Sequence, residues 1–131
     1  MDDQPKNHAK FLILYHLIFV CKYRKKLLVS YGKEVKQVFE EIAARSDFSF
    51  ETLAVDQDHI HCEVSSEPRI SPLAIVRTLK QESTIQLWQR HEKELKKHFW
   101  KKRTFWSDGN FCCTIGNASQ ATIRQYIESQ G

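Results

Sequence analysis

The stretch from Lys10 to Cys21 is almost continuously apolar, which is the pattern of a strand covered on both faces and therefore placed mid-sheet. A half-exposed strand would alternate instead. Its apolar part, Phe11 to Val20, is too short to span a bilayer, contains Tyr15 and His16, and lacks a signal-peptide cleavage pattern. The chain is expected to be soluble and cytoplasmic, with no membrane partner.

The remaining segments have to complete that sheet. Val35, Val38, Phe39 and Ile42 recur at i, i+3, i+4 and i+7, which predicts an amphipathic helix over Gly32 to Arg45. Asp47 to Val55 reads as extended, with Phe48 and Phe50 on one face, and Asp56-Gln57-Asp58 reads as a tight turn. In the returning arm His59, His61, Glu63 and Ser65 alternate with Ile60, Cys62 and Val64, giving one polar and one apolar face. Ser71 as N-cap and Pro72 at the first position open a long helix with an interrupted stripe of Leu73, Val76, Leu79, Ile85 and Trp88. Glu92 to Trp106 is basic and aromatic and reads as a short helix and a loop. Phe111 to Ile115 makes a last strand ended by Gly116, and Asn117 with Gln120 resembles a capping box for a final helix over about 118–130.

The order is β-α-β-β-α-β-α, the split β-α-β arrangement of ferredoxin-like α+β sandwiches. An antiparallel sheet carries helices on one face, and a C-terminal helix is added. A length of 131 residues and a hydrophobic content of 41% suit one domain over residues 1–131.

Chemistry concentrates at two places. On a strand, the side chains of His59 and His61 project together, roughly 6.6 Å apart along the chain, which suits two imidazoles converging on one metal ion. On a helix, Tyr126 and Gln130 are about one turn apart, so a phenol and an amide serve one neighbourhood. Taken alone, a His-x-His strand is more often an ordinary polar face, and Tyr126 shares a stripe with Ile123 and Ile127 that suits a core edge. A zinc site at Cys62, Cys112 and Cys113 is disfavoured because Cys62 points away from the histidines and adjacent cysteines do not readily chelate together. No CxxC pair occurs, so reduced thiols are expected.

Together the motifs change those odds. Tyr15-His16-Leu17-Ile18-Phe19 with Cys21-Lys22-Tyr23-Arg24, then Asp58-His59-Ile60-His61, Phe105-Trp106-Ser107 and Gln125 to Gln130 resemble, in order and spacing, the HUH-type single-tyrosine transposases of the 200/605 insertion-sequence family. The resemblance implies that Tyr126 is the nucleophile and that His59, His61 and Gln130 bind a divalent metal, usually magnesium. Manganese is the alternative for a mixed imidazole and oxygen site. It further implies a homodimer in which the tyrosine helix of one subunit completes the histidine site of the other, and hairpins of single-stranded DNA at element ends as partners. His16, on the central strand, is expected at most to support the site.

The chemistry follows from the residues. A phenol with a reference pKa near 10 is ionised in only about one molecule in a thousand at neutral pH, so it needs electrostatic help to attack phosphorus. The product is a phosphodiester of similar energy, so a 3′ hydroxyl can reverse the step without ATP, and no Gly-x-x-x-x-Gly-Lys loop is present. By resemblance, the 5′ phosphate stays on Tyr126. The formal charge of +4 permits a polyanionic partner. Lys22, Arg24, Lys25, Arg77, Lys80, Lys102 and Arg103 are candidate phosphate contacts, with Trp100, Phe105 and Trp106 nearby to stack bases. The three tryptophans suit a core or a dimer interface better. Two rival readings share the fold: an inactive or domesticated hairpin-binding relative, and a transposase associated with repetitive extragenic palindromes.

Overall fold

The computed structural model describes residues 12–114 and 120–130. Four strands, β1 (Ile13–Val20), β2 (Phe48–Val55), β3 (His59–Ser66) and β4 (Phe111–Thr114), form one antiparallel sheet in the order β2-β3-β1-β4. Helices α1 (Leu28–Ala44), α2 (Pro72–Leu95) and α3 (Gln120–Ser129) complete the expected order. The start of the first strand, Lys10 and Phe11, the last-strand residues Ile115 and Gly116, and the Asn117 cap lie outside the described residues.

The central position of β1 follows from its burial. Leu17 to Val20 are at most 1% exposed, whereas Leu14 is 39% exposed, so only the second half of the strand is covered on both sides. Leu17 pairs with Cys62 and Phe19 with Ile60, and these side chains enter the main core with Val35, Val38, Phe39 and Ile42 of α1 and Ile75, Val76, Leu79 and Leu87 of α2. Phe19 meets Phe39 edge-on with ring centroids 5.1 Å apart, and both contact Trp106. The opposite face carries a smaller cluster of Ile18, Val20 and Ile127, flanked by Phe111, Ile123 and Tyr126. α3 thus packs across the sheet from α1 and α2.

Several boundaries move for physical reasons. α1 starts a turn earlier than its stripe suggests, because Leu27 and Leu28 bury and the Leu28 amide donates to Gln57 O at 3.0 Å. The stripe of α2 differs from its expected course at two points: Leu73 and Ile85 are exposed, and the buried positions are Ile75, Val76, Leu79, Ser83, Leu87, Trp88 and Leu95. Ser83 is the reason. Its hydroxyl donates to Leu79 O at 2.6 Å and accepts from Trp106 Nε1 at 2.9 Å, so a polar residue occupies a core position fully satisfied. The N-terminus of α2 is as expected, with the Ser71 hydroxyl accepting from the Ala74 amide at 3.3 Å. The helix runs on to Leu95 but kinks at His91, whose φ of −132° and ψ of 32° are not helical, so the short helix expected from Glu92 is the last turn beyond that kink. Cys21 and Trp106 form an isolated bridge that ties the chain after α2 to the end of β1. Cys62 is buried in the main core, on the side of β3 away from the histidines, and all four cysteines are free.

Candidate active site on the second face of the sheet

Because β3 alternates, His59 and His61 project from the face opposite the main core, beside Val20 and Ile18 of β1. His59 Nδ1 lies 2.9 Å from Asp58 Oδ1, while Asp58 Oδ2 accepts from Arg24 Nε at 3.2 Å. Burial pushes the Asp58 carboxyl up, but the hydrogen bonds from His59 and Arg24 outweigh it and hold the group below the ordinary aspartate range. An ionised carboxylate on Nδ1–H fixes the ring and leaves the Nε2 lone pair free, the orientation that metal-binding histidines use. Asp56 Oδ2 is 4.0 Å from that nitrogen, too far for a hydrogen bond.

His61 has a different neighbour. Its Nε2 lies 2.9 Å from His16 Nδ1, with ring centroids 5.0 Å apart. Burial, and after it the second imidazole, pushes the His61 pKa down, which keeps the ring neutral. One N–H is shared between the rings, and this contact has to open before His61 Nε2 can serve another partner.

Tyr126 and Gln130 come together as their spacing predicts. α3 lays Ile127 over Ile18 and Val20 and turns Tyr126 onto Phe111, with ring centroids 5.2 Å apart. A Cβ on Gly109 would fall 2.7 Å from Gln130 Oε1 and 3.0 Å from the Tyr126 hydroxyl. A glycine there lets the 107–110 segment close against both side chains. Among the described residues the buried Tyr126 hydroxyl has no hydrogen-bond partner, nor has that of Ser107. Burial raises the phenol above its ordinary value, and the nearby Ser107 hydroxyl offsets this only in part. In this arrangement the phenol is stored rather than presented.

The two halves of the site share a face but do not touch. Tyr126 and Gln130 lie over β4 and its preceding loop, while the histidines are on β3, with β1 between. Among the described residues, no hydrogen bond, ion pair or ring contact joins Tyr126 or Gln130 to either histidine, and no three His, Cys, Asp or Glu side chains are arranged around a metal position. The donor set still suits a divalent cation, because His59 is already oriented by a carboxylate.

The candidate phosphate contacts divide. Lys80 Nζ donates to Ser107 O at 2.8 Å, Gly109 O at 2.7 Å and Asn110 Oδ1 at 3.0 Å, so all three of its protons are committed to the loop beside Tyr126. Burial lowers its pKa, yet those three acceptors require the charged form. Arg24 is committed to Asp58, Lys22 pairs with Asp108 at 2.9 Å, and Arg103 pairs with Glu92 at 3.1 Å. Lys25, Arg77 and Lys102 carry no ion pair among the described residues, and Arg77 lines an open cavity of about 500 Å³ along α2. Trp88 and Trp106 are buried and Trp100 is exposed. Asp58, expected from the sequence only as a turn residue and the first member of the Asp58-His59-Ile60-His61 motif, is also the group that orients His59, and its adjacency is the one signal for that. The sequence reading missed Gly109, for which no local pattern exists.

The family model for IS200-like transposases matches residues 9–130. The ISDra2 transposase TnpA of Deinococcus radiodurans is 31% identical over 117 residues, covering 88% of this chain and 82% of that protein. The transposase for insertion sequence element IS200 of Salmonella typhimurium is 26% identical, covering 98% of this chain and 84% of that protein. A crystal structure of a candidate transposase from Deinococcus radiodurans R1 superposes with a TM-score of 0.83 at 26% identity over 99% of this chain and 98% of its own. A REP-associated tyrosine transposase bound to a REP hairpin superposes with a TM-score of 0.58 over 98% of this chain and 69% of its own, at 14% identity, a likeness of fold alone.

Proposed function

The chain belongs to the IS200-like transposase family, and from that premise we propose that it cleaves and rejoins single-stranded DNA at insertion-sequence ends through a 5′-phosphotyrosine on Tyr126. The observation that carries this reading is the joint exposure of one sheet face to His59, held by Asp58, and to the Tyr126–Gln130 pair on α3. In the proposed step the phenolic oxygen bonds to phosphorus, the bond from phosphorus to the 3′ oxygen breaks, the phenol loses its proton and the departing 3′ oxygen gains one. A 3′ hydroxyl reverses the sequence on a new strand, so no ATP is consumed. His59, His61 and Gln130 would hold a divalent cation, magnesium or manganese. Such an ion, when bound, supplies positive charge to the phosphate oxygens.

The residues themselves do the positioning. Asp58 keeps His59 in one tautomer, and His16 holds His61 until that ring is needed elsewhere. Tyr126 has to leave its buried position to react. Among the described residues helix α3 places Ile127 in the buried cluster on its face, with Ile123 and Tyr126 partly buried beside it, so releasing it costs at least the burial of one isoleucine, about 2–3 kcal/mol. The separation of Tyr126 from the histidines within one chain supports a homodimer in which α3 of one copy serves the histidines of the other. We further assign hairpins at the element ends as the recognised DNA, in keeping with the hairpin held by the REP-associated structural neighbour.

Incubating labelled single-stranded element ends with protein and magnesium tests this. The wild type forms a covalent protein–DNA adduct, whereas Tyr126→Phe binds the DNA without forming one. Hairpin binding by wild type with no adduct would replace the reading with that of an inactive hairpin-binding relative.

A further inference from the structure

We propose that the cavity beside the Lys22–Arg24 turn is a stacking subsite for one unpaired base of single-stranded DNA, an inference that rests on the reading of the chain as a single-stranded DNA enzyme. The cavity holds about 480 Å³ and is lined by Lys22, Tyr23, His98, Trp100, Lys101 and Lys102 over Phe99, with no carboxylate among its lining residues. Aromatic faces ringed by cations are the chemistry that holds an unpaired base and its phosphate.

Three observations single this cavity out. Trp100 is 77% exposed and Tyr23 64% exposed, while Trp88, Trp106 and Phe105 are buried, so the displayed rings of the basic segment are gathered at one place. Lys101 Nζ lies 5.2 Å from the Trp100 ring centroid, and Lys22 Nζ, which also pairs with Asp108, lies 5.5 Å from that of Tyr23, so each exposed ring has a cation beside it. Finally, Tyr23 has φ 60° and Arg24 φ 53°, the left-handed region that a side chain enters at a cost. Arg24 has a reason in its bond to Asp58. Tyr23 touches the buried Phe99 only at a ring-centroid distance of 6.5 Å, stays 64% exposed and turns its ring into the cavity, the position of a residue kept for what it binds.

The test is a titration of a short fluorescent oligothymidine, which has no hairpin, at fixed salt, with intrinsic tryptophan fluorescence read in parallel. Quenching on binding reports Trp100, because the other two tryptophans are buried. Trp100→Ala and Tyr23→Gly are each expected to weaken binding about tenfold, while Trp100→Phe stays near wild type. Tyr23→Gly separates function from folding: glycine suits the left-handed backbone, so Tm holds or rises while affinity falls. Unchanged affinity in Trp100→Ala and Tyr23→Gly overturns the proposal. So does a drop in sedimentation mass of Trp100→Ala at unaltered affinity, which would make this surface an interface between copies. Normal binding by both variants of a protein whose wild type forms the Tyr126 adduct sinks only the subsite. Lost binding in both, with no adduct from wild type, sinks only the cleavage reading.

Discussion

The two faces of the central sheet are built to different rules. On one, Leu17, Phe19, Ile60, Cys62 and Val64 meet α1 and α2 in a large core, and the polar Ser83 set into it has its hydroxyl bonded to both Leu79 O and Trp106 Nε1. On the other, Ile18 and Val20 hold α3 through Ile127, two hydroxyls are buried without hydrogen-bond partners among the described residues, and His16 is paired with His61. A fully satisfied layer carries stability, and a thin, under-satisfied one keeps reactive groups movable, since whatever is not held firmly is cheap to rearrange.

The harshest way to break this contrast is to open the first face. Phe39→Ala removes a ring that is 0% exposed and packed on Phe19, Phe50 and Trp106, and should cost about 3–5 kcal/mol in urea unfolding. Ile127→Ala, at the centre of the second face, should cost clearly less; equal losses would refute the asymmetry. Next in size is Lys80→Met, which strips three hydrogen bonds from the 107–110 loop and should cost about 2 kcal/mol. Hydrogen exchange should quicken across that loop and leave the β1–β3 pairing unaltered.

The first face was the legible one. Period-2 and period-3.6 patterns are written by burial, so Val35, Val38, Phe39 and Ile42 and the alternation of β3 announced their own elements and the order of the fold. The stripe of α2 was misread where burial and polarity part, at Ser83, because no periodicity shows that a distant Trp106 satisfies its hydroxyl. On the second face the sequence could bring together only near neighbours: His59 with His61, and Tyr126 with Gln130. That Lys80 secures a loop rather than facing solvent, and that Gly109 makes room for Tyr126 and Gln130, depends on contacts spanning tens of residues. Local spacing carries no trace of those.

Tyr126→Phe sharpens the contrast by a smaller amount. A side chain that contributed through its hydroxyl would destabilise the fold when the oxygen is removed. Here the oxygen is buried with no hydrogen-bond partner among the described residues, and burial raises the phenol's pKa more than the nearby Ser107 hydroxyl lowers it. Deleting it should therefore leave Tm unchanged or raise stability by about 1 kcal/mol, in the same variant that forms no adduct. A loss of stability would mean the hydroxyl is held as firmly as Ser83.

The smallest effect concerns the polar seam between α1 and α2. Glu34 accepts from Arg90 at 2.8 Å and lies 2.7 Å from His91 Nε2. Burial pushes its carboxyl up, but those hydrogen bonds outweigh it and hold the native group below its ordinary 4.5. A group whose pKa falls on folding binds fewer protons in the native state. Its contribution is therefore complete above the ordinary value and disappears as pH drops through the lowered native one. Partial exposure screens the pair, so the contribution is about 1 kcal/mol or less. Urea unfolding of wild type and Glu34→Gln across the acid range should show curves that converge as pH falls below 4.5 and separate above it. A constant gap at every pH would mean that Glu34 acts through packing, and the ion pairs joining the two helices would then add nothing to the first face's stability.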